Sequence, residues 1–573
     1  MSLRELIAVA RGDAPGDLLF ANGRVVNTFT GEVEETDVVV YEGRVAGLGE
    51  GYSARQTVDL HGAYLLPGLI DGHTHVESSM LWLGEYARAV VPHGTAAAVS
   101  DLHEITNVCG LYGMEQAVLA ASHLPFDLYL MVASCVPATD LETSGASMGP
   151  EEVRRALALK GAIGLGEMMN FPGVISGHSA CLDKIGAAGG RPVDGHAPGV
   201  SGRALNAYLA AGPRSDHETT QLEEGREKLR RGMHLMIREG TTEKNLEELL
   251  PLVTDETYGR CLLVVDDRSC RDLLHDGDVD AVVRKAIALG LEPVRALQLA
   301  TINPATYFGL RDLGAVAPGY RANLIICDDL RRFTIRQVYY EGRLVAEDGR
   351  PLFEAAVQPP EGLTHTFEVR GLRPSSFVLP AAGSRYPVIE VVPGQIVTRH
   401  SVEEVRVVDS RIETDVERDI LKLAVVERHQ GTGNVGVALV RGFGLRQGAL
   451  ASSYAHDSHN IVVVGASDDD MCVAAREVKR LEGGLVAAAE GRVLAALPLP
   501  IAGLMSPRPI DEVVRDFEAV EEAAHSLGAK VPTPFAVLSF LALPVIPTLK
   551  LTDRGLVDAA AGRFVNVAAL VGP

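Results

Sequence analysis

The 573-residue sequence predicts an α/β fold in which a (β/α)8 TIM-like barrel is inserted in a small β domain and followed by a C-terminal α/β or α+β domain. Three observations predict this fold. Apolar runs of strand length alternate with longer helical patterns between residues 66 and 309, a turn sequence recurs on both sides of that region, and the composition changes after about residue 375. A chain of this length is also too long for one compact core.

The first segment reads as short strands joined by tight turns. The stretches "LLFANGRVVNTFTGEV" and "DVVVYEGRVAGLGEG" place N-G-R and E-G-R between β-rich runs, which are hairpin signals. The sequence "YEGR" returns at residues 340–343. We therefore predict that residues 1–65 and 310–365 together build one small β domain around the barrel. The alternative is that E-G-R is simply a common turn sequence.

The middle segment, residues 66–309, contains eight candidate strands. They are "YLLPGLIDGHTH", "TAAAVSD", "DLYLMVASC", "AIGLGEMM", "RPVDGHA", "RSDHE", "HLMIRE" and "CLLVVDD". Most of these are nearly continuous apolar runs, as expected for buried parallel strands. Eight βα units in about 240 residues match a (β/α)8 barrel.

The last segment, residues 375–573, follows the linker-like stretch "PLFEAAVQPPEGLTHTF". It is rich in Gly and Val and contains strand-like runs such as "NVGVALVRGFG" and "NIVVVGAS" with helical stretches such as "DDMCVAAREVKRLEG" between them. We predict a separate domain here.

Composition limits the classes of partner. The formal net charge of −22 argues against nucleic acid and anionic membranes as partners. The N-terminal stretch "MSLRELIAVARGD" resembles an amphipathic helix rather than a signal peptide, and no long uncharged apolar stretch follows, so we predict a cytoplasmic protein. The 7 cysteines form no C-x-x-C pair and read as reduced thiols rather than as disulfides or a thiolate zinc site.

Polar residues end nearly every predicted barrel strand. These residues are His73, His75, Asp101, Ser134, Glu167, His196, His217, Glu239 and Asp266. In a barrel the C-terminal ends of all strands meet at one mouth, where active sites lie. A chance distribution would place such residues at both ends of the strands.

Six of these side chains form a candidate metal centre. His73 and His75 are two residues apart on an extended strand, so their imidazoles point the same way. The set is His73, His75, Glu167, His196, His217 and Asp266. Imidazoles and carboxylates suit Zn, Mn or Fe, and the set exceeds what one tetrahedral ion needs. A carboxylate such as Glu167 can bridge two ions, and a two-metal site generates a hydroxide nucleophile at neutral pH. A single H-x-H, by contrast, is more often a solvated strand end.

The sequence resembles the adenine deaminases of the amidohydrolase superfamily over essentially its whole length. The motifs that carry the resemblance are "PGLIDGHTHVESS", "SDLHEITNV", "ASCVPAT", "GLGEMMNFPGVI", "DGHAPGVSG", "SDHE", "PGYRANLIICDDL" and "HDSHNIVVVG". One segment departs from the family pattern, in which Thr-Asp-Asp is followed by Lys-His-Pro. Here the segment reads "VVDDRSCRDLL", so the acids are kept but their neighbours differ.

The resemblance implies hydrolytic deamination of adenine to hypoxanthine and ammonia, a purine salvage reaction. It implies that His73, His75 and Glu167 hold one divalent ion and that Glu167, His196 and His217 hold a second. Mn²⁺ or Fe²⁺ are the ions expected, and Zn²⁺ is an alternative. A metal-bound hydroxide would attack C6 of adenine.

The resemblance also implies roles for residues beside the metals. Asp266, chosen over Asp267, would take the proton of the hydroxide and pass it to the departing amine, and it is also a candidate metal ligand. Glu77 is a candidate for protonating a ring nitrogen, and the alternative is that it orients His75.

Further residues are candidate substrate contacts. They are Ser78, His103, Glu104, Ser134, Asp267, His456, Asp457 and His459. His103 and Glu104 have the alternative of capping the next helix. The "AHDSHN" cluster has the alternatives of a hydrogen-bonded turn and a further ion site. The combination of H-x-E and P-C-x-x-C motifs of the base-flipping zinc deaminases is absent from the sequence.

Two other functions are compatible with the same residues. One is a different amidohydrolase reaction on a cyclic amide or an N-acyl substrate, and the other is a non-catalytic scaffold relative. Because every expected ligand is present, the sequence favours an enzyme. The family resemblance also implies a homo-oligomer, either a dimer or a tetramer.

Overall fold

The computed structural model of the chain describes residues 2–355 and 358–565. A helix and seven strands precede the barrel. They are α1 (Leu3–Ala10), β1 (Gly16–Ala21), β2 (Arg24–Val26), β3 (Val33–Glu35), β4 (Val38–Tyr41), β5 (Arg44–Leu48), β6 (Ala54–Asp59) and β7 (Tyr64–Pro67).

The middle of the chain alternates strands and helices. The strands are β8 (Leu69–Thr74), β9 (Thr95–Asp101), β10 (Asp127–Val132), β11 (Ala162–Met168), β12 (Val193–Gly195), β13 (Ser215–Asp216), β14 (His234–Arg238) and β15 (Cys261–Val264). The helices are α2 (Leu83–Val90), α3 (His103–Ala121), α4 (Pro150–Ala156), α5 (Phe171–Ile175), α6 (Ser179–Ala187), α7 (Gly202–Ala211), α8 (Leu222–Arg230), α9 (Leu246–Leu249), α10 (Cys270–His275), α11 (Val279–Ala288), α12 (Pro293–Leu299) and α13 (Ile302–Phe308).

These eight strands close into a parallel barrel in chain order. Parallel ladders join β8 to β12 and β13 to β15. The amide of Arg214 donates to the carbonyl of Val193 at 3.0 Å and continues the barrel between the two ladders. Asp266 N donates to His73 O at 3.0 Å and His75 N donates to Asp266 O at 3.2 Å, which closes the last strand onto the first. The predicted fold class is confirmed.

The predicted first strand, "YLLPGLIDGHTH", is divided between two sheets. Residues 64–67 form β7 in an antiparallel sheet, and β8 enters the barrel after Gly68. A Cβ atom at Gly68 would lie 2.5 Å from Cβ of Ala96, so the close approach of the backbone at this corner needs a glycine. The sequence could not show this division, because the apolar run continues through it.

Strands from both flanks of the barrel share one sheet. After the barrel come β16 (Leu324–Asp329), β17 (Thr334–Tyr340), β18 (Arg343–Glu347) and β19 (Arg350–Pro351). The sheet order is β19-β18-β17-β16-β7-β2-β3, and a second sheet has the order β5-β4-β1-β6. Both E-G-R sequences are tight hairpin turns, with positive φ at Glu42 and Gly43 and at Glu341 and Gly342.

The C-terminal region is built around an eight-stranded sheet. Its elements are β20 (Leu379–Pro380), β21 (Arg385–Val391), β22 (Thr398–Glu404), β23 (Arg406–Val408), β24 (Arg411–Glu413), β25 (Leu421–Val426), β26 (Val435–Arg441), β27 (Ala449–Ser452), β28 (Ile461–Gly465), α14 (Asp468–Arg480), β29 (Gly484–Ala489), β30 (Arg492–Pro498), α15 (Ile510–Ser526), α16 (Pro534–Phe540), β31 (Leu549–Thr552), β32 (Gly555–Asp558) and β33 (Arg563–Phe564). The large sheet has the order β22-β21-β26-β25-β28-β27-β29-β30.

The eight-stranded sheet packs between α14 and the barrel. Its residues Ala424 and Val463 belong to an apolar cluster with Met471 of α14. On its other face, Leu423 and Leu485 belong to the cluster that includes barrel residues such as Leu81. The C-terminal region is thus held against the barrel by a shared hydrophobic core. Among the described residues, no helix is long and apolar enough to cross a membrane, and all seven cysteines are free.

Candidate metal centre and active site

Glu167 lies at the centre of the histidine cluster at the barrel mouth. Its Oε1 is 3.2 Å from Nε2 of His75. Its Oε2 is 2.7 Å from Nδ1 of His196 and 3.3 Å from Nε2 of His217. The two carboxylate oxygens therefore face different histidines, which is the arrangement a bridging carboxylate needs.

The backbone of Glu167 is fixed by two side chains from neighbouring strands. Asp101, at the end of β9, accepts from Glu167 N at 2.9 Å through Oδ2. Ser134, which follows β10, donates from Oγ to Glu167 O at 2.6 Å. Ser134 thus positions Glu167 and, within the part of the chain that the structure describes, does not line the cavity. Its predicted contact with substrate finds no support in this placement.

Asp266 faces the first two histidines. Its Oδ1 is 3.4 Å from Nε2 of His73 and 3.3 Å from Nε2 of His75. Its Oδ2 accepts from Nη1 of Arg238 at 2.7 Å. Burial opposes ionisation, but Arg238 and the two histidines hold the pKa of the Asp266 carboxyl well below its usual range. Asp266 is therefore a carboxylate at neutral pH.

The donor atoms fit divalent metal ions. Among the described residues, five groups of three side chains have donor atoms within 4.8 Å of one another: His73/His75/Asp266, His73/Glu167/His217, His75/His103/Glu167, His196/His217/Glu218 and His103/Glu104/Asp457. Nε2 of His73 is buried and has no hydrogen-bond partner among the described residues.

The orientation of His75 also suits a metal ligand. Its Nδ1 lies 2.9 Å from the carbonyl oxygen of Asp101, which can only accept, so Nδ1 carries the proton. Nε2 then presents its lone pair to the cluster, as a metal ligand does.

Asp267 bonds a serine that follows the first barrel strand. Its Oδ1 accepts a hydrogen bond from Ser78, whose Oγ also lies 2.8 Å from the hydroxyl of Tyr454. Asp267 lines the cavity, whereas Ser78 lies behind it. The preference for Asp266 over Asp267 as the acid nearest the metal ligands agrees with this geometry.

The "AHDSHN" segment lies over the barrel mouth. His456 Nδ1 is 2.6 Å from Glu104 Oε1, and His459 Nε2 bonds Glu104 Oε2. His103 Nε2 is 3.5 Å from Glu104 Oε1 and 3.9 Å from Asp457 Oδ1. The structure therefore brings these five predicted residues together, although they come from two regions of the chain. All except His459 line the cavity.

Glu77 is buried in the turn that follows β8, and its carboxylate lies against the first turn of α3. Its Oε1 accepts from the backbone amide of Ile105 at 3.0 Å, as a helix-capping carboxylate does. Burial raises the pKa of Glu77 to about 7. Within the described ranges Glu77 does not line the cavity, so the geometry favours a structural position over contact with a ring nitrogen, and its catalytic role stays a prediction.

The altered segment after the last barrel strand is structural in this chain. Arg268 Nη1 donates to the carbonyl of Glu239 at 3.1 Å. Ser269 caps α10 by accepting from the amide of Asp272 at 3.2 Å. Cys270 is buried in the first turn of α10. The departure from the family pattern therefore leaves the cavity-facing carboxylates in place.

Several cavity residues were missed in the sequence. Three are charged: Glu218, Arg238 and Glu243. Arg238 donates to both oxygens of Glu218, at 2.5 Å and 2.9 Å, as well as to Asp266. Burial and the neighbouring Asp267 raise the pKa of Glu243 to about 7. Arg238 and Glu218 adjoin Glu239 and His217, which the sequence predicted at the mouth. Because period-two alternation places adjacent residues on opposite faces of a strand, it gave no signal for either Arg238 or Glu218.

Five further cavity residues are apolar. They are Met169, Ile396, Phe540, Leu543 and Ile546. Four of them come from the C-terminal region, which partly covers the mouth and leaves a cavity of about 50 Å³. No sequence pattern marks them, because apolar residues in a strand-rich region read as core. Charged side chains of the barrel mouth thus lie beneath apolar side chains, most of which come from the C-terminal region.

Comparison with known proteins gives relatives that match nearly the whole chain. Residues 64–345 match the amidohydrolase family, and residues 395–563 match the adenine deaminase C-terminal domain. The chain is 53% identical over 564 residues to a protein named adenine deaminase from Dehalococcoides mccartyi, covering 98% of this chain and 99% of that one.

Two other relatives are similarly complete. Adenine deaminase 2 of Carboxydothermus hydrogenoformans is 48% identical over 566 residues, covering 99% of each chain. Adenine deaminase of Archaeoglobus fulgidus is 47% identical over 568 residues, covering 99% of this chain and 98% of that one. The similarity therefore includes the barrel, the flanking β strands and the C-terminal region.

Proposed function

The chain belongs to the adenine deaminase family of the amidohydrolases, and we propose that it hydrolyses adenine to hypoxanthine and ammonia. The observation that carries the proposal is the similarity to adenine deaminases over 98% of the chain. The cluster of imidazoles and carboxylates at the barrel mouth supplies the chemistry such a reaction needs. Neither the other amidohydrolase reactions nor a scaffold role gains a supporting observation.

We propose that the centre holds two divalent ions. His73, His75 and Glu167 would hold one, and Glu167, His196 and His217 would hold the other. The division of the Glu167 oxygens between His75 on one side and His196 and His217 on the other supports this assignment. Mn²⁺ and Fe²⁺ are the proposed ions, with Zn²⁺ as the alternative. Divalent ions bound there supply Lewis-acid chemistry, which makes water acidic enough to act as a nucleophile at neutral pH.

Asp266 is the proposed base. Because Arg238 holds Oδ2, Oδ1 remains directed to the cluster. The Asp266 carboxylate accepts a proton from the attacking water as oxygen bonds to C6 of adenine. It then returns the proton to the exocyclic amine, the C6–N bond breaks, and ammonia leaves. General acid–base help of this type contributes about 10²- to 10⁴-fold.

The apolar cover suits a planar heterocycle. Ile396, Phe540, Leu543 and Ile546 exclude water above the charged floor, which strengthens electrostatic interactions within the cavity. Expectations about purine salvage and a homo-oligomeric state stay predictions.

The proposal is tested by ammonia release from adenine. The purified chain would be stripped of metal, reconstituted with Mn²⁺ and assayed with adenine, adenosine and cytosine. We expect ammonia and hypoxanthine from adenine alone, and a rate lower by about 10²-fold or more from Asp266→Asn prepared in the same way. Activity on adenosine or cytosine with none on adenine would overturn the proposal.

A further inference from the structure

Lys550 is a buried lysine in the C-terminal region. It lies in β31 and its side chain is 0% exposed. Nζ donates to the backbone carbonyl of Ile396 at 2.8 Å and to that of Phe540 at 2.8 Å. Across residues 2–355 and 358–565, no carboxylate forms an ion pair with Lys550. The Lys550 amine therefore has two peptide carbonyls as its hydrogen-bond partners.

Both carbonyls belong to residues whose side chains line the active-site cavity. Ile396 lies in the turn between β21 and β22, and Phe540 ends α16. Leu543 and Ile546 continue from Phe540 and also line the cavity. We call these four side chains, Ile396, Phe540, Leu543 and Ile546, the roof. Lys550 thus donates to one carbonyl in each of the two backbone segments that carry the roof.

An amine at this position is energetically costly. Burial lowers the pKa of Lys550 to about 7, far from its value of 10.5 in water. An apolar side chain of the same length would avoid this penalty, but it would leave two buried carbonyls without a donor. A neutral amine has two N–H groups, which matches the two carbonyls it meets. The energetic cost of burying the Lys550 amine is accounted for if its bonds to both backbone segments are needed to hold the roof.

The surrounding strand is held independently of the amine. Leu551 N, within β31, donates to Leu541 O at 3.0 Å, and Thr398 N donates to Pro547 O at 3.0 Å, which is a backbone link between the two roof segments. Removal of the Lys550 amine therefore takes away one of the links between the roof segments and leaves the backbone bond that anchors β31.

The roof also contacts the charged cluster. The ring of Phe540 stacks on the imidazole of His456, with centroids 4.5 Å apart and planes 15° apart. His456 in turn lies against Glu104. A shift of the Phe540 backbone is thereby transmitted to side chains that line the cavity.

We propose that Lys550 is a positioning residue that sets the height of the roof above the barrel mouth, and so the fit of a planar purine beneath it. This inference rests on the proposed function, since adenine is taken as the ligand below the roof. Lys550 touches neither substrate nor metal ligands and acts through Ile396 and Phe540.

The test compares Lys550→Met with Lys422→Met. Lys422 is another buried lysine of the same region, 1% exposed, but its Nζ donates to Asp468 at 2.6 Å on the far side of the sheet from the cavity. Each variant would be assayed for KM and kcat with adenine, for bound metal, and for thermal midpoint. Hydrogen–deuterium exchange of the ligand-free proteins would report on residues 392–397 and 540–547.

We expect Lys550→Met to raise KM about tenfold with little change in kcat, because roof contacts bind ground state and transition state alike. Exchange should be faster in both roof segments, while the metal content stays at the wild-type level. Lys422→Met should change only the thermal midpoint. Wild-type KM and wild-type exchange in Lys550→Met would overturn the inference, as would an equal rise of KM in Lys422→Met.

A separate measurement covers the case in which Lys550→Met does not fold. Adenine added to the wild-type holoenzyme should slow exchange in both roof segments, and unchanged exchange there would overturn the inference. Failure of the proposed function is distinguishable, because the wild-type enzyme would then release no ammonia from adenine. In that case the exchange rates of the ligand-free variants still decide whether Lys550 holds the roof.

Discussion

The Nδ1 atom of His456 lies 2.6 Å from Oε1 of Glu104. Glu104 belongs to the first turn of α3 in the barrel, whereas His456 lies between β27 and β28 of the C-terminal region. His459 bonds the other oxygen of the same carboxylate. The barrel mouth is therefore completed by histidines that the barrel does not itself contain, which gives the C-terminal region a direct part in the site.

Replacement of Glu104 by Gln should weaken the enzyme strongly. Burial opposes ionisation of Glu104, but His456 and His459 hold the pKa of its carboxyl well below its usual range, so the native group is charged. A neutral amide offers one acceptor oxygen where two histidines now bond. We expect kcat/KM for adenine to fall about 10- to 100-fold, because a hydrogen bond to a charged group contributes about 1.5 to 3 kcal/mol and each ~1.4 kcal/mol is about tenfold.

The matched control for Glu104→Gln is Glu85→Gln. Glu85 also joins the barrel to the C-terminal region, because its Oε2 accepts from Ile510 N at 3.1 Å, but it lies outside the mouth. Steady-state kinetics should show near-normal kcat/KM for Glu85→Gln. Equal losses in the two variants would mean that Glu104 acts only by holding the regions together.

The neighbouring acids Asp266 and Asp267 should differ sharply when each is changed to Asn. Asp266 faces His73 and His75, and its replacement removes the base, so kcat should fall by about 10²-fold or more. Asp267 bonds Ser78, and its replacement should alter KM more than kcat. Initial rates with adenine check both outcomes, and near-normal turnover by Asp266→Asn would contradict its role as the base.

The strand ends made much of the site predictable from the sequence. His73 and His75 fall on one side of an extended strand because side chains alternate with a period of two. Glu167, His196 and His217 then join them because the ends of parallel barrel strands converge. These relationships depend on the alternation of side chains along a strand and on the fold class. Both can be recognised in a single sequence.

Other features depend on which way a side chain turns and on long-range packing. The strand "HLMIRE" ends in two charged residues, and only the structure shows that Arg238 faces the cavity while Glu239 is bonded by Lys285. The contact of Ser78 with Tyr454 joins residues far apart in the chain. The roof residues are apolar, as core residues are, so no sequence signal separates the two.

Removal of metal should abolish activity, and single ligand changes should remove ions selectively. We expect two equivalents of divalent ion per wild-type chain after reconstitution with Mn²⁺. His196→Ala should retain about one, because His196 lies on one side of Glu167 only. Glu167→Ala should retain fewer than His196→Ala, since both proposed ions share its carboxylate. Elemental analysis of dialysed protein measures these ratios, and one equivalent in the wild-type chain would contradict a two-ion centre.

The stability of the wild-type chain relative to Lys550→Met should rise with pH above neutrality. Burial lowers the pKa of Lys550 to about 7 in the folded chain, against 10.5 in water. Between these values the unfolded chain binds a proton that the folded chain does not, so raising the pH favours the folded state. The free energy of unfolding of the wild-type chain rises relative to that of the variant by about 1 kcal/mol per pH unit. This dependence on pH disappears as the pH falls to about 7. Thermal midpoints of both proteins should be measured at intervals from pH 7 to about 9. The midpoint of the wild-type chain should rise relative to that of the variant over this range. A constant difference across that range would mean that Lys550 stays charged when buried.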